Sequence, residues 1–174
     1  MADGLVEASL EGSVLGLLSD SHAERERTAR AIDLLVSLGA DAIVHLGDVC
    51  SEGVLDAMAG APVALRFVWG NMDEGLGAQE RYARSLGMQC DHPAGLYTMC
   101  QQRLVATHGH MAWVERQARE IGADYLLHGH THTVRDESVD GLRVLNPGAL
   151  HRANRYTVGV LALESGRFDI HEVD

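Results

Sequence analysis

Aromatic side chains are scarce, at 5% of 174 residues, so a chain that is 46% hydrophobic must build its core chiefly from Ala, Val, Leu and Ile. Basic residues are few as well. Lys plus Arg total 14 against 25 Asp plus Glu, a formal charge of -11. That balance argues against general nucleic-acid binding, whose affinity comes from neutralising phosphates with Lys and Arg. A small anionic substrate fits such a chain only around a local positive centre, which bound metal ions could supply.

No apolar run is long enough to cross a bilayer, so no membrane association is expected. Residues 1–12 carry Asp3, Glu7 and Glu11 and lack a basic n-region, unlike a secretory signal. Cys50, Cys90 and Cys100 are odd in number and form no CxxC motif. This argues against a disulfide framework and for a reducing, cytoplasmic setting. The length suits one compact domain, with residues 13–174 as its body and residues 1–12 as a frayed N-terminal tail.

Hydrophobic periodicity divides the body into short elements. Apolar runs at 14–19, 42–46 and 63–69 read as buried strands. Between them, 24–38 has apolar residues at helical spacing and stops at Gly39, and Ser51 opens a short helix to 59. A helix is expected at about 79–86 and another at 112–121, closed by Gly122. Hairpins are expected at 97–100 with 103–107, at 134–139 with 142–145 around Asp140-Gly141, and at 156–163 with 167–171 around Ser165-Gly166. A strand at 125–128 completes the set. Units of βαβ followed by hairpins imply an α/β fold, with two sheets face to face and helices outside.

Five polar segments each follow an apolar run and each carry metal-ligand chemistry. They are Asp20-Ser21-His22, Gly47-Asp48, Gly70-Asn71-Met72-Asp73, His108-Gly109-His110 and Gly129-His130-Thr131-His132. Loops at the C-terminal ends of neighbouring strands converge on one crevice. In an extended segment residues i and i+2 share a side, so Asp20 with His22, and His130 with His132, can reach one site. A carboxylate such as Asp48 has two oxygens and can bridge two cations. Imidazole among the donors favours manganese, iron or zinc over magnesium. Any one of these segments matches by chance; five of them, all at strand ends, do not.

In this order the segments resemble the calcineurin-like metallophosphoesterases, and within them the small bacterial and archaeal phosphodiesterase branch, the Vps29-like group. The resemblance runs from about Val14 to the C-terminus. It implies a four-layer αββα sandwich of two mixed β-sheets flanked by helices. It implies two divalent transition-metal ions, Mn2+ first, with Fe, Zn or Ni as alternatives. One would be held by Asp20, His22, Asp48 and His132, the other by Asp48, Asn71, His108 and His130. The implied reaction is hydrolysis of a small phosphate ester, a phosphodiester first, by in-line attack of metal-bound hydroxide. The alternatives are a phosphomonoesterase and a non-enzymatic Vps29-like interaction scaffold; the complete ligand set favours the enzyme.

Asp48, Asn71 and His110 are the expected catalytic residues, and Asn71, His110 and Arg152 the expected substrate contacts. Arg152 and Arg155 follow Asn146-Pro147-Gly148 and can either clamp a phosphate or solvate the surface. The pattern departs from the larger family at Met72, where many members carry a His that protonates the leaving group, and at Ala149, where Ser is usual. Asp73 can substitute as acid or serve structurally. His110 can contact phosphate or orient His108. His45 and His128 read as core histidines, and His92, His151 and His171 as surface ones. Cys50 reads as a small buried hydrophobe and Trp69 as core, while Met111 and Trp113 suit packing, a substrate cleft or a homo-oligomer contact.

Overall fold

The computed structural model describes residues 4–73 and 75–174. In chain order the elements are β1 (Leu5–Ser9), β2 (Val14–Leu18), α1 (Arg25–Ser37), β3 (Ala42–His45), α2 (Glu52–Ala59), β4 (Ala64–Phe67), α3 (Leu76–Ser85), β5 (Ala94–Met99), β6 (Gln102–Ala106), α4 (Ala112–Glu120), β7 (Tyr125–Leu127), β8 (Arg135–Val139), β9 (Leu142–Asn146), β10 (Thr157–Ala162) and β11 (Arg167–Glu172). One sheet has the order β1-β5-β6-β7-β9-β8 and the other β11-β10-β2-β3-β4.

Period-two alternation explains the layers. On β2, Leu15 and Leu17 face the other sheet with Ala42, Val44 and Leu46 on or next to β3 and Leu104, Ala106 and Leu127 opposite. Leu18 and Ile43 face the other way, toward Ala31, Ile32 and Leu35 of α1 and Leu55 and Met58 of α2. Gly16 lets α1 sit close, since a Cβ there would lie 3.1 Å from Leu35. A third cluster seats Val114 and Ala118 of α4 on Val105, Leu126 and Val144 of the six-stranded sheet. Three apolar interfaces separate four layers, the expected αββα sandwich. Each fully buried Leu stabilises it by about 1.5–3 kcal/mol.

Register sets the site. β2, β3 and β4 run parallel, with Leu18, His45 and Phe67 level at their C-terminal ends. β6, β7 and β9 also run parallel, with Ala106, Leu127 and Leu145 level. The loops after all six strands therefore open at the same end of the sandwich.

Where a frayed tail was expected over residues 1–12, Leu5–Ser9 form a strand, while residues 1–3 of that stretch lie outside the described residues. Leu5–Ser9 pairs in parallel with Ala94–Thr98, and Trp113 lies beside Gly4 and is partly buried in the α4 cluster. As a half-exposed edge strand, β1 lacks a buried face that alternation could reveal. α3 begins at Leu76, earlier than the expected 79, because Gly75 adopts a left-handed φ of 71° and starts the helix there.

Candidate metal centre

Each of the two central carboxylates is held by one oxygen and presents the other. Asp20 Oδ2 accepts the backbone N–H of His130 at 3.0 Å. Asp20 Oδ1 lies 3.2 Å from His132 Nε2 and 4.0 Å from both His22 Nε2 and His108 Nε2. Asp48 Oδ1 accepts the N–H of Met72 at 2.9 Å. Asp48 Oδ2 lies 3.3 Å from both His22 Nε2 and His108 Nε2. Asp20, His22 and His132 thus offer one compact donor group, and Asp20, Asp48 and His108 another.

The imidazoles are oriented through their other nitrogens. His108 Nδ1 donates to the Leu46 carbonyl at 2.8 Å, and His132 Nδ1 approaches the Arg152 carbonyl at 3.4 Å. His22 Nδ1 lies 3.8 Å from Cys50 Sγ. In each case Nε2 is left for the centre, the arrangement that metal-binding histidines use. His130 packs with its ring 5.0 Å from His108 and lines, with Asn71, the cavity above the carboxylates. Asp20, His22, Asp48, His108 and His132 therefore converge through their donor atoms, and Asn71 and His130 border the same crevice.

The fit to metal ions has a direct test in unpaired atoms. Asp20 Oδ1, His22 Nε2 and His108 Nε2 are buried and have no hydrogen-bond partner among the described residues. Orphaned buried polar atoms are costly and uncommon. Three that converge with a carboxylate oxygen between them form a donor set suited to divalent transition metals. The charges agree. Burial disfavours charge on His108, yet the Asp48 and Asp20 carboxylates outweigh it and hold its pKa above the ordinary value. Burial likewise opposes charge on Asp48, while His108, the Met72 N–H and His22 pull its pKa below the usual range. A field that favours a proton on His108 also favours a cation there.

The backbone is strained around this centre. Asp20, His22, Asp48, His130 and His132 have φ of 55°, 40°, 56°, 67° and 56°. Each such conformation costs about 1–3 kcal/mol and persists because its surroundings fix it. These values also correct the expected geometry: the Asp20/His22 and His130/His132 pairs converge through left-handed turns, not through alternation along an extended segment. Glycine permits the close approach. A Cβ at Gly129 would lie 1.8 Å from Ser19 Oγ, and one at Gly70 would lie 2.0 Å from Asp48 Oδ1.

Supporting residues lock the loops to one another. Asp73 is buried, and its carboxylate accepts the N–H groups of Gly70 at 2.6 Å, Cys50 at 2.8 Å and Asp48 at 3.1 Å. Both oxygens accept from backbone, an arrangement that suits a structural latch. Burial pushes its pKa up against these bonds. His45 accepts the Gly47 N–H at Nδ1 (3.1 Å) and so donates from Nε2 to Ser21 Oγ at 2.7 Å. Burial drives its pKa down to about 3. It is a core histidine that ties the Asp20 loop to the Asp48 turn. Asn146 donates to Gly129 O at 2.9 Å and Thr131 Oγ1 at 3.1 Å while accepting the Gly148 N–H at 2.9 Å. The Leu150 N–H reaches Ser19 O at 3.1 Å. Ala149 is fully buried in this turn.

The remaining candidates separate cleanly. His110 is exposed, with its ring 5.5 Å from His108 and 6.2 Å from His130. Burial and those two histidines lower its pKa. Arg152 lines the cavity, whereas Arg155 binds Glu172 at 2.8 Å and faces a different hollow. Burial and the nearby Asp73 and Asp48 raise the Cys50 thiol to about 12, so it stays protonated. Trp69 is core, edge-on to Phe67 at 4.8 Å. His151, expected at the surface, instead lines the cavity. Its ring stacks 5.0 Å from His22 and its Nδ1 lies 3.2 Å from Glu24 Oε1. Gln79 of α3 also lines the cavity and was not foreseen.

Parallel strand ends in two stacked sheets, delivering this Asp, Asn and His set to one crevice, define a metal-dependent phosphoesterase architecture. The chain belongs to the calcineurin-like phosphoesterase superfamily, whose domain matches residues 14–166. Among characterised relatives, it is 31% identical over 145 residues to the phosphodiesterase YfcE of Escherichia coli K12, covering 76% of each chain. The structure of an archaeal phosphodiesterase superposes with a TM-score of 0.82 at 23% identity, covering 92% of this chain and 99% of that one. Vacuolar protein sorting 29 of Cryptosporidium parvum shares the fold at a TM-score of 0.59 and 17% identity, covering 92% and 96%. Among the described residues no helix is long and apolar enough to cross a membrane.

Proposed function

We propose that this chain is a phosphodiesterase working with two divalent metal ions. The observation that carries the proposal is the convergence of Asp20 Oδ1, His22 Nε2 and His108 Nε2, all buried and unpartnered, around Asp48 Oδ2. Asp20, His22, Asp48 and His132 would hold one ion; Asp48, Asn71, His108 and His130 would hold the other. Asp48 would be the shared ligand, consistent with its equal 3.3 Å approach to a histidine of each set. Mixed nitrogen and oxygen donors support manganese, with iron, zinc or nickel as alternatives. When bound, such a pair of ions supplies Lewis acidity at the phosphoryl oxygens and an activated water near neutral pH.

The chain's own residues do the rest. The backbone bonds to Asp20 Oδ2 and Asp48 Oδ1 fix where the free oxygens point. Asn71, at the cavity wall, serves both the centre and a phosphate oxygen. Arg152 makes no ion pair among the described residues and lines the same wall, so its guanidinium is free to meet phosphate. His110, at the exposed edge beside His108 and His130, contacts the phosphate or the leaving-group oxygen. Met72 supplies no acid, and the Asp73 oxygens are occupied, so esters with good leaving groups are favoured. A cytoplasmic setting follows from the cysteine usage, and a homo-oligomer would be compatible with it.

The test is turnover of an aryl phosphodiester against the matching monoester by manganese-supplemented protein, with metal content measured on the same sample. Faster diester hydrolysis supports the proposal. Equal or faster monoester hydrolysis would make it a phosphomonoesterase. No hydrolysis of either by metal-loaded protein would favour an interaction scaffold of the kind that shares this fold.

A further inference from the structure

Glu24 stands at the start of α1, a position where Ser, Thr, Asp or Asn would cap the free N–H groups of the helix. Its side chain makes no capping bond. Instead Oε1 accepts from His151 Nδ1 at 3.2 Å, across 127 residues of chain, and Oε2 lies 3.3 Å from Arg27 Nη1. Arg27 in turn grips both ends of the segment that carries His151. Its Nη1 donates to the Leu150 carbonyl at 2.8 Å, and its guanidinium lies over the Tyr156 ring, 3.8 Å from the centroid. The Leu150 N–H is held as well, by Ser19 O at 3.1 Å. Between these grips Arg152 takes a left-handed φ of 45°, and it borders the cavity beside His151. That conformation is unfavourable for a residue with a Cβ and persists only where the surroundings fix it. Glu24 is partly open to water, where ion pairs add little to stability. Its contacts are better accounted for by what they position.

We infer that Glu24 and Arg27 are positioning residues for substrate binding: acting through His151 and Leu150, they fix the loop in the turn that presents Arg152 to the substrate phosphate. This inference rests on the phosphodiesterase reading and on Arg152 as its phosphate contact. A guanidinium held in place loses less freedom on meeting phosphate than one on a loose loop, so the clamp acts on affinity. The same loop offers the Arg152 carbonyl to His132 Nδ1 at 3.4 Å, so an effect on the metal centre has to be separated from an effect on Arg152.

The experiment measures steady-state hydrolysis of bis(p-nitrophenyl) phosphate by manganese-loaded wild type, Glu24→Ala, Arg152→Ala and the double variant, with metal content and melting temperature of each. A contact made equally in the ground state and the transition state acts on KM and leaves kcat unchanged. Arg152→Ala should therefore raise KM by about tenfold or more. Glu24→Ala should raise it by about threefold or more, with full metal content and little change in kcat. In the double variant the Glu24 change should add less than about twofold, because no guanidinium is left to position. Glu24→Gln keeps an acceptor for His151 and should restore most of the loss. A merely structural role would lower the melting temperature and the active fraction and leave KM alone. A wild-type KM in Glu24→Ala, or the same rise with and without Arg152, would overturn the inference. A wild-type KM in Arg152→Ala would overturn it together with the phosphate contact of Arg152, and leave the phosphodiesterase reading standing. No turnover by metal-loaded wild type would remove that reading and the inference with it.

Discussion

Asp20 and His130 are 110 residues apart in sequence and joined by one hydrogen bond, from the His130 N–H to Asp20 Oδ2 at 3.0 Å. It links the loop after β2 in one sheet to the loop after β7 in the other, so the centre is built across the sandwich. The contact depends on Gly129, where a Cβ would sit 1.8 Å from Ser19 Oγ and 2.7 Å from Asp20 Oδ2. Gly129→Ala should therefore force the two loops apart. The expected cost is about 1–3 kcal/mol of stability, with loss of bound metal. Thermal unfolding and metal analysis of the purified variant check both, and a variant with wild-type melting and full metal content would contradict the packing described.

Asp73 joins two loops of the same sheet. Its carboxylate satisfies three backbone donors, on Gly70, Cys50 and Asp48. Asp73→Ala strands them in a buried setting, at about 3 kcal/mol or more in total. Asp73→Asn keeps one acceptor oxygen and should fall between alanine and wild type. Urea unfolding of the three proteins gives that order if Asp73 is a latch. If it were a proton donor to the leaving group, Asp73→Asn would instead keep stability and lose only turnover.

The frame of the fold was legible because hydrophobic period and turn residues agreed. Asp140-Gly141 and Ser165-Gly166 marked their hairpins, and Gly39 and Gly122 marked the ends of α1 and α4. β1 was not legible, because a half-exposed edge strand with Glu7 in its middle has no alternation to read. The seven candidate ligands were visible as residues, since their types and order carry the chemistry. Their means of convergence was not, because left-handed turns at Asp20, His22, His130 and His132 leave no mark in residue type. His151 was misplaced for a different reason. It comes to His22 through a loop packed from far along the chain, held by Glu24.

His45 gives a pH prediction. Folded, it stays neutral down to about pH 3, because burial penalises its charge. Unfolded, it takes up a proton near its ordinary pKa of about 6.5. Between those values the unfolded chain holds one more proton than the folded chain, so stability rises with pH and falls on acidification, by about 1.4 kcal/mol per pH unit. In metal-free protein, urea unfolding at pH 4, 5 and 6 should show His45→Asn with a pH dependence shallower by about one proton. Parallel curves for the two proteins would mean that His45 is not buried in its neutral form.

Anomalous diffraction from crystals grown with manganese addresses the dinuclear centre most directly. The expected result is two peaks about 3.5–4 Å apart, one against Asp20, His22 and His132, the other against Asn71, His108 and His130, with Asp48 touching both. A single peak, or peaks away from these side chains, would contradict it.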